Sequence, residues 1–281
     1  MNPLFTPRFG SPRHRLRVGG SMLSMWSAYM AAYRFEIVLW MVATMLPLIM
    51  MGVWIEAGAS GLFPDITSAS VARYFLAVFV IRQLTVVWVA YDFEYHVVSG
   101  KLSPLLLHPV DPGWQFVFSH LGEQVVRLPF FVGVVAIAVA IYPAALQDAE
   151  GGWWLPGAGQ IVGFVLLTYA AFVLRFLLQY TVAMLSFWVE RVGGFEQLTY
   201  LPYLFLSGML FPLEVLPAEV SNVLLWTPFP YLVWFPAKLL VDGDVELTRG
   251  LLTIGGWFVV LLVTNRLVWR RGLAHYSAMG A

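Results

Sequence analysis

The chain has 281 residues, of which 60% are hydrophobic and only 11% are charged, and its formal net charge is zero. Ordinary soluble domains are about 45–50% apolar and about 25% charged, so this composition indicates an integral membrane protein. The zero net charge gives no electrostatic basis for nucleic-acid binding, and the absence of cysteine excludes disulfides and thiolate metal sites.

The chain begins with a basic segment, PRFGSPRHRLRVGG, which carries four arginines. This segment is not a cleavable signal, because the apolar run after it is too long and lacks a clear small-residue cleavage site. We therefore expect residues 1–20 to form a flexible basic tail on the cytoplasmic face.

Residues 21–36 place methionine and aromatic side chains near one face at helical spacing. Tyrosine and tryptophan at headgroup depth are typical of a helix that lies in the membrane interface. The pattern predicts an interfacial helix over 21–36, with a simple extension of the first span as the alternative.

Six segments approach the roughly 20 largely apolar residues that a bilayer crossing needs. The predicted spans are 37–55, 71–90, 117–142, 161–188, 198–213 and 251–269. The fifth is short and the fourth is long.

The distribution of arginine and lysine predicts the orientation of these spans. With the N-terminus inside, the cytoplasmic segments hold ten of the sixteen basic residues: Arg8, Arg13, Arg15, Arg17, Arg34, Lys101, Arg191, Arg266, Arg270 and Arg271. The external segments hold at most three: Lys238, Arg73 and Arg249. We expect both termini to lie in the cytoplasm.

The segment YDFEYHVVSGKLSPLLLHPVDPG, residues 91–113, joins the second and third spans on the cytoplasmic side. Residues 91–98 are predicted to be helical up to a stop at Gly100, and the prolines at 104, 109 and 112 forbid a continuous helix after it. A short helix followed by a rigid apolar elbow is suited to docking a cytoplasmic partner. The alternative is an ordinary loop that packs on its own spans.

Two stretches carry a family resemblance. EYHVVSGKLSPLLLHPVDP resembles the connection between the second and third spans of ABC-2 type transporter permeases, and more narrowly that of a subgroup of small bacterial permeases. Residues 185–240 are similar in order: a span that ends in a charged turn, a short span with Ser207-Gly208, then Phe211-Pro212, Leu216-Pro217 and an apolar, proline-rich segment. The resemblance covers most of residues 21–275.

The resemblance implies an all-α membrane protein of six transmembrane helices, with an N-terminal interfacial helix, a cytoplasmic coupling helix within 91–113 and external re-entrant helices. Residues 212–236 support the last feature independently. They are too apolar for a free loop and too interrupted by proline to cross, and irregular backbone at membrane depth has to be buried in protein or line a cavity.

A transporter of this family is driven by ATP, but the chain has no phosphate-binding loop. The only Gly-Lys pair, Gly100-Lys101, lacks the first glycine and the final Ser/Thr of that motif. The resemblance therefore implies that this chain binds no cofactor and that ATP and Mg²⁺ are bound by a separate ABC ATPase, present in two copies.

By the same resemblance the ATPase docks on residues 92–104, and a second permease chain completes a homodimer or heterodimer in the bacterial inner membrane. The predicted ATPase-coupling residues are Asp92, Glu94, Tyr95, His96, Gly100, Lys101 and Pro104.

Three arginines fall inside predicted spans, where a charge is costly and is usually functional. Arg82 and Arg175, with Ser207 and Gly208, are candidates for the substrate path. The alternative for the two arginines is a structural contact with Glu56, with Gln83 or Gln179, or with carbonyl groups. Glu123 and Arg127 are four residues apart on one helix, a spacing that predicts a structural ion pair.

The leading functional prediction is the permease subunit of an ATP-driven exporter of an unidentified substrate. The alternative is an ATPase-driven complex for signalling or envelope remodelling, although the chain has no large external domain to reach a partner. An ion-coupled carrier is a weaker third, since only Glu123 is a carboxylate within a span. The histidines show no metal spacing, and no catalytic residues are predicted.

Overall fold

The computed structural model describes residues 12–59, 67–147, 152–189 and 191–278. Most of these residues are helical, and β pairing among them is limited to an isolated bridge between Gln147 and Trp153. The prediction of an all-α membrane protein is confirmed for the described part of the chain.

The α-helices of the described residues are, in chain order, α1 (Pro12–Ala32), α2 (Arg34–Ala43), α3 (Leu46–Ala59), α4 (Ser68–Leu84), α5 (Val89–Val98), α6 (Leu102–Leu106), α7 (Pro112–Ile141), α8 (Ala158–Ala183), α9 (Gly193–Leu206), α10 (Ala218–Leu224), α11 (Trp234–Val241) and α12 (Leu247–Ala278). Short 3₁₀ turns occur at Pro143–Leu146, Met184–Phe187, Leu213–Val215 and Phe229–Leu232.

Five helical stretches within the described ranges are long and apolar enough to cross a membrane: Arg34–Gly58, Ser68–Val98, Pro112–Ile141, Ala158–Phe187 and Leu247–Tyr276. They overlap the predicted first, second, third, fourth and sixth spans. The Ser68–Val98 stretch is the most enclosed of the five, because α4 lies at the centre of the bundle with most of its side chains buried.

The predicted fifth span, 198–213, is not a full-length helix. It corresponds to α9, whose 14 residues extend about 21 Å at 1.5 Å per residue, against a hydrocarbon core of about 30 Å. The six-span prediction is therefore not confirmed by helix length.

The directions of α8 and α12 nevertheless require the chain to return through the bundle between them. The starts of both helices pack on α11, Gly163 against Leu239 and Gly250 against Phe235. Towards their other ends, Gly272 packs against Phe187. The two helices thus run parallel, and α9 with the irregular residues 207–212 forms the return passage.

Two predicted spans contain interruptions that the sequence analysis did not anticipate. The first span breaks between α2 and α3 at Thr44, because Pro47 lacks the N–H that would bond to the carbonyl of residue 43. The second breaks between α4 and α5, where two α7 side chains bond the freed backbone: Gln124 donates to the Leu84 carbonyl (2.6 Å), and His120 Nε2 accepts the Trp88 N–H (2.7 Å).

Helix α1 begins earlier than predicted, within the segment that was expected to be flexible. Residues 12–20 are helical, which corrects that expectation, while residues 1–11 lie outside the described residues. The physical reason is packing against α7. Gly19 faces Phe118, and Gly122 lets the α1 backbone approach so closely that a methyl group there would lie 2.8 Å from the Ser27 nitrogen. That α1 lies in the membrane interface stays a prediction.

The predicted re-entrant segment, 212–236, contains two short helices, α10 and the start of α11, which continues to Val241. Helix α11 is held by α4 and α8, and Trp234 donates its backbone N–H to the Ser207 carbonyl (2.9 Å). The depth of this pair in the membrane stays a prediction.

We expect Gly122→Ala to lower the thermal unfolding temperature of the purified protein in detergent. The new methyl group meets α1 backbone, and overpacking of this kind costs about 1–3 kcal/mol, more than the roughly 1 kcal/mol that alanine gains over glycine in a helix. Gly133→Ala is the matched control, because Gly133 lies on the same helix with open space around it. It should leave the unfolding temperature unchanged or raise it; equal effects of the two variants would contradict the α1–α7 contact.

Candidate functional site

The predicted coupling segment forms two short helices, α5 and α6, joined by a turn. Gly100 occupies that turn at φ 72°, a left-handed conformation that favours glycine. The segment is anchored by two fully buried side chains, Phe93 and Leu102. Phe93 packs on aromatic rings of α7, α8, the following 3₁₀ turn and α12, at centroid distances of 5.4–6.1 Å: Phe116, Tyr180, Phe187 and Trp269.

The apolar elbow LSPLLL is only partly enclosed. Leu102 belongs to the buried cluster, and Ser103 Oγ lies 3.0 Å from the Tyr276 hydroxyl of α12. In contrast, 87% of Leu107 is exposed. The segment thus packs on its own spans with one side and leaves an apolar side chain on its outer side.

Five of the seven predicted coupling residues are exposed, and four of these lie at or near the turn between α5 and α6. Tyr95 and Lys101 form a pair across the turn: the Lys101 ammonium donates to the Tyr95 hydroxyl, and its nitrogen lies 4.4 Å from the ring centroid. Gly100 and Pro104 are exposed beside them. We call Tyr95, Gly100, Lys101 and Pro104 the outer coupling surface.

Glu94 faces inward and makes a contact that the sequence analysis missed. Its Oε2 accepts the backbone N–H of Val192 at 2.6 Å, immediately before α9. Tyr91 donates to Glu196 Oε2 on the same helix (3.2 Å). The coupling segment is therefore tied to the first turn of α9 by side chains that lie about a hundred residues away in sequence.

His96 is partly buried and bonds within the coupling segment, whereas Asp92 is exposed beside an open cavity. His96 Nδ1 lies 2.6 Å from the Asp92 carbonyl oxygen, and its ring packs edge-on against Phe116. The Asp92 side chain lines an open cavity of about 630 Å³ between α1 and α2 on one side and α5 and α7 on the other, together with Glu36 and Glu123. Neither residue belongs to the outer coupling surface.

Arg127 and Glu123 form a buried ion pair on α7. The guanidinium also donates to Gln83 of α4 (3.5 Å), and Gln83 in turn donates to Thr44 at the break between α2 and α3 (3.1 Å). The Thr44 hydroxyl donates a hydrogen bond to the Met41 carbonyl (2.9 Å). This network gives one buried charge a counter-ion, although Arg127 Nε has no partner among the described residues, and it links three of the membrane-spanning stretches.

Arg82 of α4 and Arg175 of α8 are nearly as buried, but the described residues include no carboxylate bonded to either. Both guanidinium groups lie over the ring of Tyr203 of α9, with distances from the guanidinium carbon to the ring centroid of 5.7 and 4.0 Å. One terminal nitrogen of each is buried without a hydrogen-bond partner. The expected amides are engaged elsewhere: Gln83 in the network above, and Gln179 with Glu196 (3.3 Å).

Ser207 and Gly208 form the joint at the end of α9. Gly208 adopts φ 89°, and a methyl group there would lie 2.5 Å from the Tyr74 hydroxyl, which donates to the Gly208 carbonyl (2.7 Å). Ser207 is fully buried, and its hydroxyl oxygen has no partner among the described residues. The joint lies one turn beyond Tyr203. Its backbone carbonyls accept hydrogen bonds from Tyr74 and from the Trp234 N–H.

A second open cavity, of about 380 Å³, lies at the end of the bundle opposite the coupling segment, and Glu214 and Lys238 line it. These two residues form an ion pair, and Asp242 lies 3.5 Å from the same ammonium. Burial works to lower the pKa of Lys238, but the hydrogen bond and charge of Glu214, with Asp242, raise this pKa above its ordinary value.

Comparison with known proteins identifies a family that the chain matches. The family model described as "ABC-2 family transporter protein" matches residues 42–280, which include α3 to α12 and the coupling segment. No curated protein matches the chain.

We expect Glu123→Gln to lower the free energy of unfolding by about 3–5 kcal/mol, because it leaves the Arg127 charge buried without a counter-ion. Glu214→Gln is the matched control. It removes a carboxylate from a partly exposed pair, for which a cost below about 1 kcal/mol is expected. Denaturant titration of both variants in detergent micelles measures the difference. Similar costs would show that the Arg127–Glu123 pair is not the buried contact described above.

Proposed function

Because the chain belongs to the ABC-2 family of transporter proteins, we propose that it is the permease subunit of an ATP-binding cassette exporter. The family and the apolar helices identify a multi-pass membrane protein and a permease component of an ABC transporter. We further propose that it acts in a bacterial inner membrane, with both termini in the cytoplasm, and moves substrate outward.

The observation that carries this proposal is the two-sided construction of the coupling segment. Its outer coupling surface is free for a partner, whereas its inner side is fixed to the ends of α8 and α12 through Phe93 and Leu102 and to α9 through Glu94. A push on the outer surface is therefore transmitted to spanning helices. An ordinary surface loop needs no such anchoring.

ATP and Mg²⁺ belong to the partner in this proposal. Permeases of the family normally work with an ABC ATPase, and we propose that two ATPase copies dock beneath a pair of permease chains. ATP binding would draw the ATPases together and switch the permeases between two arrangements.

The substrate path runs, in this proposal, along α4, α8 and α9, past Arg82 and Arg175 and then past the joint at Ser207-Gly208. The cavity beside Lys238 lies at the proposed external end, which supports an exit there. The predicted cytoplasmic segments cluster at the opposite end of the bundle, as the contact of Ser103 with Tyr276 illustrates.

The first test is purification of the full chain from its native membranes in mild detergent, with identification of what remains bound. An ATP-binding protein in equal amount is expected. A permease that purifies alone, without any nucleotide-binding partner, would contradict the proposal.

The second test reverses one charge on the outer coupling surface. Lys101→Glu should reduce the amount of bound ATPase by about tenfold or more, as a central interface residue does, without changing the amount of permease in the membrane. Arg271→Glu is the matched control, because this exposed arginine lies on the same predicted face outside the coupling segment. If both variants bind the ATPase equally well, the docking site lies elsewhere.

A further inference from the structure

Three buried arginines of this bundle differ sharply in how their charge is balanced. Arg127, Arg175 and Arg82 expose only 1%, 5% and 6% of their surface. Arg127 has the carboxylate of Glu123. Arg82 and Arg175 have the face of one aromatic ring between them and no bonded carboxylate among the described residues.

The acidic side chain that acts electrostatically on Arg175 is hydrogen-bonded to other groups. Glu196 lies within electrostatic reach of Arg175, but its two oxygens accept hydrogen bonds from Gln179 and Tyr91. One terminal nitrogen of each arginine is buried without a partner among the described residues, as are the Tyr203 hydroxyl and the Gln179 carbonyl oxygen. Buried polar atoms in folded proteins are almost always paired, so four unpaired atoms in one region indicate a missing partner.

A small cavity adjoins this group and is lined by Arg175, Gln179, Thr199, Tyr200 and Tyr203, among others. Its volume of about 20 Å³ is enough for about one water molecule. The cavity is thus bordered by one guanidinium and several polar side chains, and in this conformation it has room for little more than a water molecule.

We propose that Arg82 and Arg175 bind a phosphate-like anionic group of the transported substrate, with Tyr203 as the side chain that covers this site when it is empty. The inference rests on the proposed function and names the chemical class of substrate. Guanidinium groups present planar, paired donors that match the oxygens of phosphate and carboxylate. An anion between them would supply the directly bonded acceptors and negative charge that the described residues do not provide.

Helix α9 is the element that would have to move to admit such a group. Tyr203 is the only side chain of α9 that is buried, and the helix ends at the joint of Ser207 and Gly208. Its other end is bonded to the coupling segment through Glu94. Displacement of α9 therefore withdraws one ring from two arginines and enlarges the cavity at little cost in packing.

The test measures the thermal unfolding temperature of the full chain in a neutral detergent with three probes: dioctanoyl phosphatidic acid, dioctanoylglycerol and inorganic phosphate. The two lipids differ only in the phosphate group. Phosphatidic acid at a hundred times its dissociation constant should raise the unfolding temperature by about 5–10 °C, and dioctanoylglycerol should not. An equal rise with inorganic phosphate would identify a free anion as the ligand of the same site, whereas no rise with either anion would overturn the proposal.

Variants separate this site from the basic surface of α1. Arg175→Gln should abolish the rise, whereas the double variant Arg13→Gln/Arg17→Gln, which removes two exposed charges, should keep it. The reverse pattern would place binding on α1 and overturn the proposal. If Arg175→Gln does not fold, Arg175→Lys keeps the charge without the planar donors and should weaken binding about tenfold; unchanged binding there would also overturn it.

These measurements need no ATPase, so the two proposals fail separately. Binding of phosphatidic acid without a co-purifying ATPase would support the anion site and contradict the exporter proposal. A co-purifying ATPase, with no change in the unfolding temperature on addition of either anion, would support the exporter proposal and contradict the anion site.

Discussion

Within a bilayer every buried polar group has to find its partner inside the protein, because lipid tails offer neither donors nor acceptors. That constraint explains why α7 bonds to the two places where other spans break. At the break between α4 and α5, Gln124 and His120 bond the backbone groups that the helix leaves open. His120 accepts at Nε2, so its Nδ1 carries the proton and donates to the Phe116 carbonyl at 2.6 Å. At the other break the connection is indirect, through Gln83, which bonds both Thr44 and Arg127.

The same constraint applies to the two buried arginines that have no bonded carboxylate among the described residues. The buried charge of Arg127 has a counter-ion, Glu123, one helical turn earlier on the same helix. Arg82 and Arg175 lie in the same bundle at similar burial and receive an aromatic face instead. A ring attracts a cation, but more weakly than a carboxylate does and without accepting conventional hydrogen bonds. A guanidinium held this way keeps its donors available for an anion that arrives and leaves.

Much of the architecture could be predicted from the sequence, because span length and apolarity are local properties. Five of the predicted spans overlap helices that are long enough to cross, and Gly100 and Pro109 lie where the coupling segment turns, whereas Pro104 lies within α6. The features that were missed depend on distant partners. The break after Leu84 is stabilised by side chains of α7, the extension of α1 into residues 12–20 packs Gly19 against Phe118 of α7, and the role of Glu94 depends on Val192. No local pattern encodes such pairings.

The coupling segment and the buried arginines, which the sequence presents as separate features, are joined by one helix. Glu94 and Tyr91 bond the first turn of α9, and Tyr203 on the third turn covers the two arginines. Because α9 has no other buried side chain, moving it disrupts less packing than moving α4 or α8. Most residues in the apolar core of the stretch that contains α4, and half of those in the stretch that contains α8, are buried. In the proposed exporter, ATPase motion at Tyr95 and Lys101 would therefore move α9, through Glu94 and Tyr91, together with the ends of α8 and α12 that Phe93 and Leu102 contact. Access to the proposed anion site would then depend on the nucleotide state of the ATPase through the position of a single short helix.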